Sequence, residues 1–180
     1  MSSANPSRRA ALRALAVTAG AGALAGCFTP LYGDPSVVPG AHNAQAHLRD
    51  LEIPEIAGRS GVILRNELIY LTQGGGGRAQ SPTHTLRVSL GVDSVPLVLN
   101  TAAGRPSAQS VTLIADYSIT PVGSQQVLMR GQAFASASFD RTAQRLASDR
   151  AMIEAQERAA KSLAQTLVTQ VAGWYVTRPR

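Results

Sequence analysis

Val111-Thr112-Leu113-Ile114-Ala115-Asp116-Tyr117-Ser118-Ile119 is the stretch that decides the fold. Its odd positions are apolar or aromatic, and its even positions are Thr, Ile, Asp and Ser. Successive side chains of a strand point to opposite faces, so this alternation predicts a strand with one dry and one wet face. The same period recurs on either side. Leu86, Val88, Leu90 and Val92 alternate with Arg87, Ser89 and Gly91. From about Gln125 to Phe139, Val127, Met129, Gly131 and Ala133 take one side and Leu128, Arg130, Gln132 and Phe134 the other. Pro121-Val122-Gly123-Ser124 reads as a tight turn between the last two strands. Asn100 to Ala108, with Gly104 and Pro106, reads as a long exposed hairpin loop with Arg105 at its tip.

Working outward, a further strand is expected near Ala46 to Ile53, ended by Pro54, although its alternation is imperfect. Ser60 to Gln73 carries Ile63/Leu64, Leu68 and Leu71 at helical spacing, with Ser60 as N-cap and Gly74 as the stop. The Gly74–Gly77 run follows a helix and lacks a Gly-Lys-Ser/Thr ending, so it is a flexible loop and not a phosphate cradle. A long helix is expected from about Arg141 to Tyr175, capped by Asp140. Leu146, Ile153, Ala160, Leu163, Leu167, Val171 and Trp174 form its stripe. Alanines 147, 151, 155, 159, 160 and 164 would let it approach a sheet closely. The predicted order is β-α-β-β-β-α. The fold class is α+β, a two-layer sandwich of a four-stranded sheet with two helices packed on one face.

The N-terminus reads as an export leader. Arg8, Arg9 and Arg13 precede an acid-free run rich in Ala, Leu and Gly that ends in Leu24-Ala25-Gly26-Cys27. The apolar run is too short for a spanning helix, which needs roughly 20 residues. Small residues directly before the only cysteine fit a bacterial lipoprotein signal peptide, with Cys27 as the lipidation site after cleavage. Ser7 to Arg13 also resembles a twin-arginine export motif, with Ala11 where Phe is expected. Either route ends in the periplasm. Phe28, in place of an Asp, favours the outer membrane over inner-membrane retention. The expected organisation is a leader over 1–26, a lipidated tether over 27–44 rich in Pro and Gly, a folded domain over 45–176 and a tail over 177–180.

Without the leader the charge is modest. The 17 basic residues less three leader arginines, against 11 acidic residues, leave +3 where the full chain has +6. Nucleic-acid binding loses its composition argument with that subtraction. No cysteine remains for disulfides or thiol chemistry. His42, His47 and His84 have no metal-ligand spacing. There is no Gly-x-Ser-x-Gly elbow. Asp50 with Glu52, and Glu154 with Glu157, read as solvated pairs. Tyr32 and Trp174 could stack on sugar; a tether tyrosine and a helix anchor are their plainer roles. No cofactor or metal is expected, and the pattern is that of a binding or assembly module, not an enzyme.

One resemblance carries further. Gly26 to Gly33 reads Gly-Cys-Phe-Thr-Pro-Leu-Tyr-Gly, which resembles the Gly-Cys-Gly-Phe-x-Pro-Leu-Tyr-Gly opening of the lipopolysaccharide-assembly lipoprotein family LptE in its alphaproteobacterial form. Arg65 to Leu68 (Arg-Asn-Glu-Leu), Ala115 to Tyr117, Phe134 to Asp140, Asp149 to Ala151 and Ala155 to Ala159 agree with it in order. The glycine that normally follows the cysteine is missing, so Phe28 adjoins Cys27. The resemblance implies an outer-membrane lipoprotein, acylated by chains such as palmitate and lying at the inner leaflet. It also implies that the protein binds and plugs an LptD β-barrel and assists lipopolysaccharide insertion. Its implied fold is also a sheet-and-helix sandwich. A plug in a polar lumen needs a polar face, which Arg87, Ser89, Thr112, Asp116, Ser118, Arg130 and Gln132 supply. Arg87, Arg105 and Arg130 are the candidate lipopolysaccharide contacts, chosen on placement; the alternative is that they are solvated arginines on an open face. The competing function is an adaptor that binds peptidoglycan or another envelope complex.

Overall fold

The computed structural model describes residues 44–75, 79–100 and 105–177, with backbone alone for 98–100 and 105–107. The chain runs α1 (Ala44–Arg49), β1 (Leu51–Glu52), α2 (Arg59–Gln73), β2 (His84–Asn100), β3 (Arg105–Pro121), β4 (Met129–Asp140) and α3 (Arg145–Thr177). The four strands lie in sequence order in one sheet. β1 pairs parallel with β2, and β2, β3 and β4 form an antiparallel meander. The result is an α+β two-layer arrangement of sheet and helices.

The alternation of β3 appears as burial. Val111, Leu113, Ala115, Tyr117 and Ile119 are all buried, while Asp116 between them is exposed. On β4, Ala133, Ala135 and Phe139 are buried and Phe134 stands 70% exposed. On β2 the cover fades along the strand. Leu86 is buried, Val88 and Leu90 are half-buried, and Val92 is 53% exposed. The cause is placement, because α3 packs on β3 and β4 and reaches little of β2. Alanines 155, 159, 160 and 164 are fully buried and let α3 approach closely, while Leu163 and Leu167 fill the core. Each such leucine contributes about 1.5–3 kcal/mol.

The structure departs from the sequence expectations at several places. First, the strand placed over Ala46 to Ile53 is mostly helix: α1 ends at Arg49 and only Leu51–Glu52 pair with β2. Ala44, at the expected border of tether and domain, is buried in α1. Second, within the long loop expected over Asn100 to Ala108 the described residues, Asn100 and 105–108, are strand. Asn100 pairs with Arg105 and Leu99 with Pro106, with register shifts at Pro96/Val98 and Val98/Leu99. Backbone pairing needs no buried face, so the ribbon outruns the core. Third, β4 starts at Met129 and not Gln125. Gly123 at φ 78° turns the chain, Ser124 N–H donates to Pro121 O at 3.1 Å, and the ladder resumes only when Leu128 N–H reaches Ile119 O at 2.9 Å. Fourth, Asp140 belongs to β4 and does not cap α3. Ser148 Oγ instead fastens the turn before the helix, accepting from Thr142 N–H and donating to Thr142 O, both at 3.0 Å, and the first helical bond is Ser148 N–H to Gln144 O at 3.1 Å. The helix therefore begins at Arg145, and Leu146 is 74% exposed, off the buried stripe.

The second helix falls where expected, but Gly58 and not Ser60 occupies its N-cap; Ser60 is buried instead. Gly74 closes it in the left-handed region at φ 63°, its N–H donating to Tyr70 O at 2.9 Å. This helix is fastened to the sheet edge by side chains. Arg65 Nε donates to Ile53 O at 3.0 Å and Pro54 O at 3.1 Å, and Gln73 Nε2 donates to Leu51 O at 3.2 Å. These carbonyls lie in and just past β1, which is too short to satisfy them by pairing. Arg65→Ala is expected to lower unfolding stability by about 2 kcal/mol, the loss of charge-assisted bonds to two acceptors. Arg65→Lys should recover less than half, because both bonds come from Nε and lysine carries no donor at that place along its chain. Urea denaturation followed by circular dichroism reads both.

Candidate functional site

The open face of the sheet carries a row fixed by register. Arg87 pairs with Ser118 across β2/β3, and Ser118 pairs with Arg130 across β3/β4. The two arginines therefore flank one serine, about 10 Å apart at the backbone, two strand spacings. Both are exposed. Arg87 is held by a hydrogen bond from its Nη1 to Thr120 Oγ1 at 3.0 Å, which lays the guanidinium along the buried Thr120. The next row is Ser89, Asp116 and Gln132, where Gln132 Nε2 donates to Asp116 Oδ1 at 2.8 Å. Asp116 lies diagonal to both arginines in the ladder, on the same face. Register fixes the backbone spacing of the two cationic positions, which suits a ligand with spaced anionic groups.

Arg105 is not part of this row. Thirteen positions of β3 separate it from Ser118, about 40 Å along an extended strand. Its backbone sits in the ladder beside Asn100 and not at a loop tip. The three arginines nominated from sequence are thus one pair and one distant residue. Cys27, His42 and Tyr32 lie outside the described residues.

A ring cluster that joins three elements escapes sequence reasoning. His47 of α1 stacks on Tyr175 of α3 with centroids 5.1 Å apart at 10°. His84, the first residue of β2, meets Tyr175 edge-on at 5.6 Å and Trp174 at 6.1 Å. Thr83 Oγ1 lies 2.9 Å from His84 Nδ1. Trp174 is half-buried here, as a helix anchor would be. The only available signal was that His47, His84 and Trp174-Tyr175 stand at element ends, and spacing alone does not bring such ends together.

A cavity of about 240 Å³ lies between β1, α2 and the approach to β2, lined by Glu52, Glu55, Arg65, Ile69 and Gln73 among others. Several of its polar groups are engaged, while Gln73 Oε1 is buried with no hydrogen-bond partner among the described residues. Thr85 Oγ1 donates to Glu52 Oε2 at 2.8 Å, and Arg65 holds the two carbonyls described above. It presents no nucleophile beside a base. Among the described residues no three His, Cys, Asp or Glu are placed to share a metal ion, and no helix is long and apolar enough to cross a membrane.

No family model and no curated protein matches the chain. Solved structures do. A Caulobacter crescentus protein assigned as a lipoprotein superposes with TM-score 0.60 at 21% identity, over 75% of this chain and 97% of that one. A minor lipoprotein of Acinetobacter baumannii gives 0.55 at 16% identity, over 68% and 90%. The chain therefore has the fold of these lipoproteins, across nearly their whole length.

Proposed function

We propose that this protein is an outer-membrane lipoprotein, anchored through Cys27 on the periplasmic side, that binds and plugs an LptD-type β-barrel and assists lipopolysaccharide assembly. It acts as a shaped insert, without a catalytic centre. The carrying observation is the asymmetry of the sheet: one face is sealed by alanine-rich α3, and the other is open, polar and crossed by the Arg87–Ser118–Arg130 row. A large barrel has a polar lumen, and the polar rows of such a face can meet it, with Phe134 standing exposed among them. The Gly26–Gly33 opening and the fold shared with two lipoproteins support the same reading. Affinity purification from outer membranes after native expression tests it. Recovery of a large β-barrel in stoichiometric amount is expected. Recovery of peptidoglycan fragments or other envelope lipoproteins, with no barrel, would favour an adaptor instead.

Direct lipopolysaccharide contact is a separate part of the proposal. Arg87→Ser with Arg130→Ser is expected to weaken binding to purified lipopolysaccharide about tenfold, as two charge-assisted contacts at a partly solvated site warrant. The salt dependence should flatten with it. Arg105→Ser should act independently of that pair because of its distance. Unchanged affinity and unchanged salt dependence in the double variant would remove the row as a contact.

A further inference from the structure

The two long edges of the sheet are treated differently. The outer edge of β2 carries Pro96, and the pairing shifts register at Pro96/Val98 and again at Val98/Leu99. Proline and bulges blunt an edge against further pairing. β4, the opposite edge, has neither across Met129–Asp140. The direction of its free groups follows from the ladder. Val122 N–H donates to Thr83 O, so even positions of β3 face β2 and odd positions face β4. In β4 the odd positions therefore pair with β3 and the even ones present N–H and C=O outward. One contact agrees independently: Arg158 Nη2 donates to Ser138 O at 2.8 Å, reaching an even carbonyl from the side.

We propose that this edge pairs with the β4 edge of a second copy of the chain, antiparallel, about a two-fold axis at Ala135. The register is chosen by charge. Among the even side chains of β4 the charged ones are Arg130 and Asp140, at opposite ends. A dyad at Ala135 sets Arg130 opposite the partner's Asp140, and Asp140 opposite the partner's Arg130. It sets Gln132 opposite Ser138 and Phe134 opposite Ser136, all with outward-facing backbone groups. The small residues Ala135, Ser136, Ala137 and Ser138 at the centre let the two strands meet without obstruction. Phe134, 70% exposed in one copy, comes beside its symmetry mate on the open face, where the two rings shield each other. Every contact occurs twice, as an isologous interface requires. Arg158 is then a gate: its hold on Ser138 O must open before the partner's Gln132 N–H can take that carbonyl. The dimer covers the one unguarded long edge and is independent of any barrel or lipopolysaccharide.

Sedimentation velocity on the full chain carrying Cys27→Ser, without lipopolysaccharide, tests it across the micromolar range. A concentration-dependent monomer–dimer equilibrium is expected. Arg130→Asp alone and Asp140→Arg alone should each raise the dissociation constant about tenfold, since the dyad repeats each like-charge contact. The two together should restore it, a rescue that misfolding would not produce. Ser136→Pro removes an outward N–H while sparing the β3 ladder, and should abolish the dimer with circular dichroism unchanged. Arg158→Ala should tighten it. A monomer at every concentration overturns the proposal, as does a dimer indifferent to both the charge swap and Ser136→Pro.

Discussion

Cys27→Ala is expected to move the protein from the membrane fraction to the soluble periplasmic fraction, the largest functional change available from one substitution. The reason is additive burial. Each acyl CH₂ entering a bilayer contributes about 0.8 kcal/mol, so two or more chains on one thioether-linked cysteine hold a domain firmly, whereas a single chain does so only marginally. Among the described residues nothing replaces them, because no helix there is apolar and long enough to cross. Nor does charge, since removal of the leader leaves only +3 from the +6 of the whole chain. Carbonate-washed membranes and intact-mass measurement check the result together. The wild-type chain should begin at Cys27 and carry added acyl mass, and the variant should carry none. A variant that stays in washed membranes, or a wild-type chain that keeps residues 1–26 unacylated, would sink this reading. Barrel assembly should fall with the anchor, through lost local concentration and not through misfolding.

What was legible in the sequence follows from which interactions are local. The period of β3 could be read because its two faces meet unlike surroundings, alanine-rich helix on one side and solvent on the other. The segment over Ala44 to Ile53 could not, because two periods meet inside it. Ala44 and Leu48 are buried at helical spacing, then Leu51 and Ile53 at strand spacing, and the sum looks like imperfect alternation. Spacing alone puts Leu146 on the buried stripe, yet the chain there is held by a side-chain to backbone turn between Ser148 and Thr142 that hydrophobic period does not report. The arginine pair illustrates the same limit. Arg87 and Arg130 were found by face, but their common row depends on the registers that join each to Ser118. Turn length sets those registers, and the turn after Pro121 is longer than its four-residue signature suggested. Gly104 and Pro106 signal a loop but say nothing of where pairing stops, so the sequence cannot put Arg105 in the ladder where it pairs with Asn100.

Gly131→Ala is expected to destabilise the domain by about 2–4 kcal/mol, although it adds one methyl group and raises strand propensity. Gly131 pairs with Tyr117 across β3/β4. The phenol ring lies flat over it: a Cβ at Gly131 would stand 2.5 Å from Tyr117 Oη and 2.6 Å from Cζ. The ring has little room to leave, being 5% exposed, and Tyr117 Oη donates to Gln170 Oε1 of α3 at 2.7 Å. Displacing it costs packing and then that bond, about 1 kcal/mol more. The ring and the bond together tie β3, β4 and α3. A cycle separates this mechanism from a general intolerance of β4. In a Tyr117→Leu background the obstruction is gone, and Gly131→Ala should be close to neutral, giving a coupling of about 2–4 kcal/mol. Equal costs in both backgrounds would show that the ring is not what fills the space. Alkali offers a second readout. Burial holds the Tyr117 phenol above its ordinary value of 10.0. Above that pH the unfolded chain releases the proton while the folded one retains it, so stability falls as pH rises past the unfolded value. That added slope should vanish in Tyr117→Phe, which keeps the ring over Gly131 and loses only the hydroxyl.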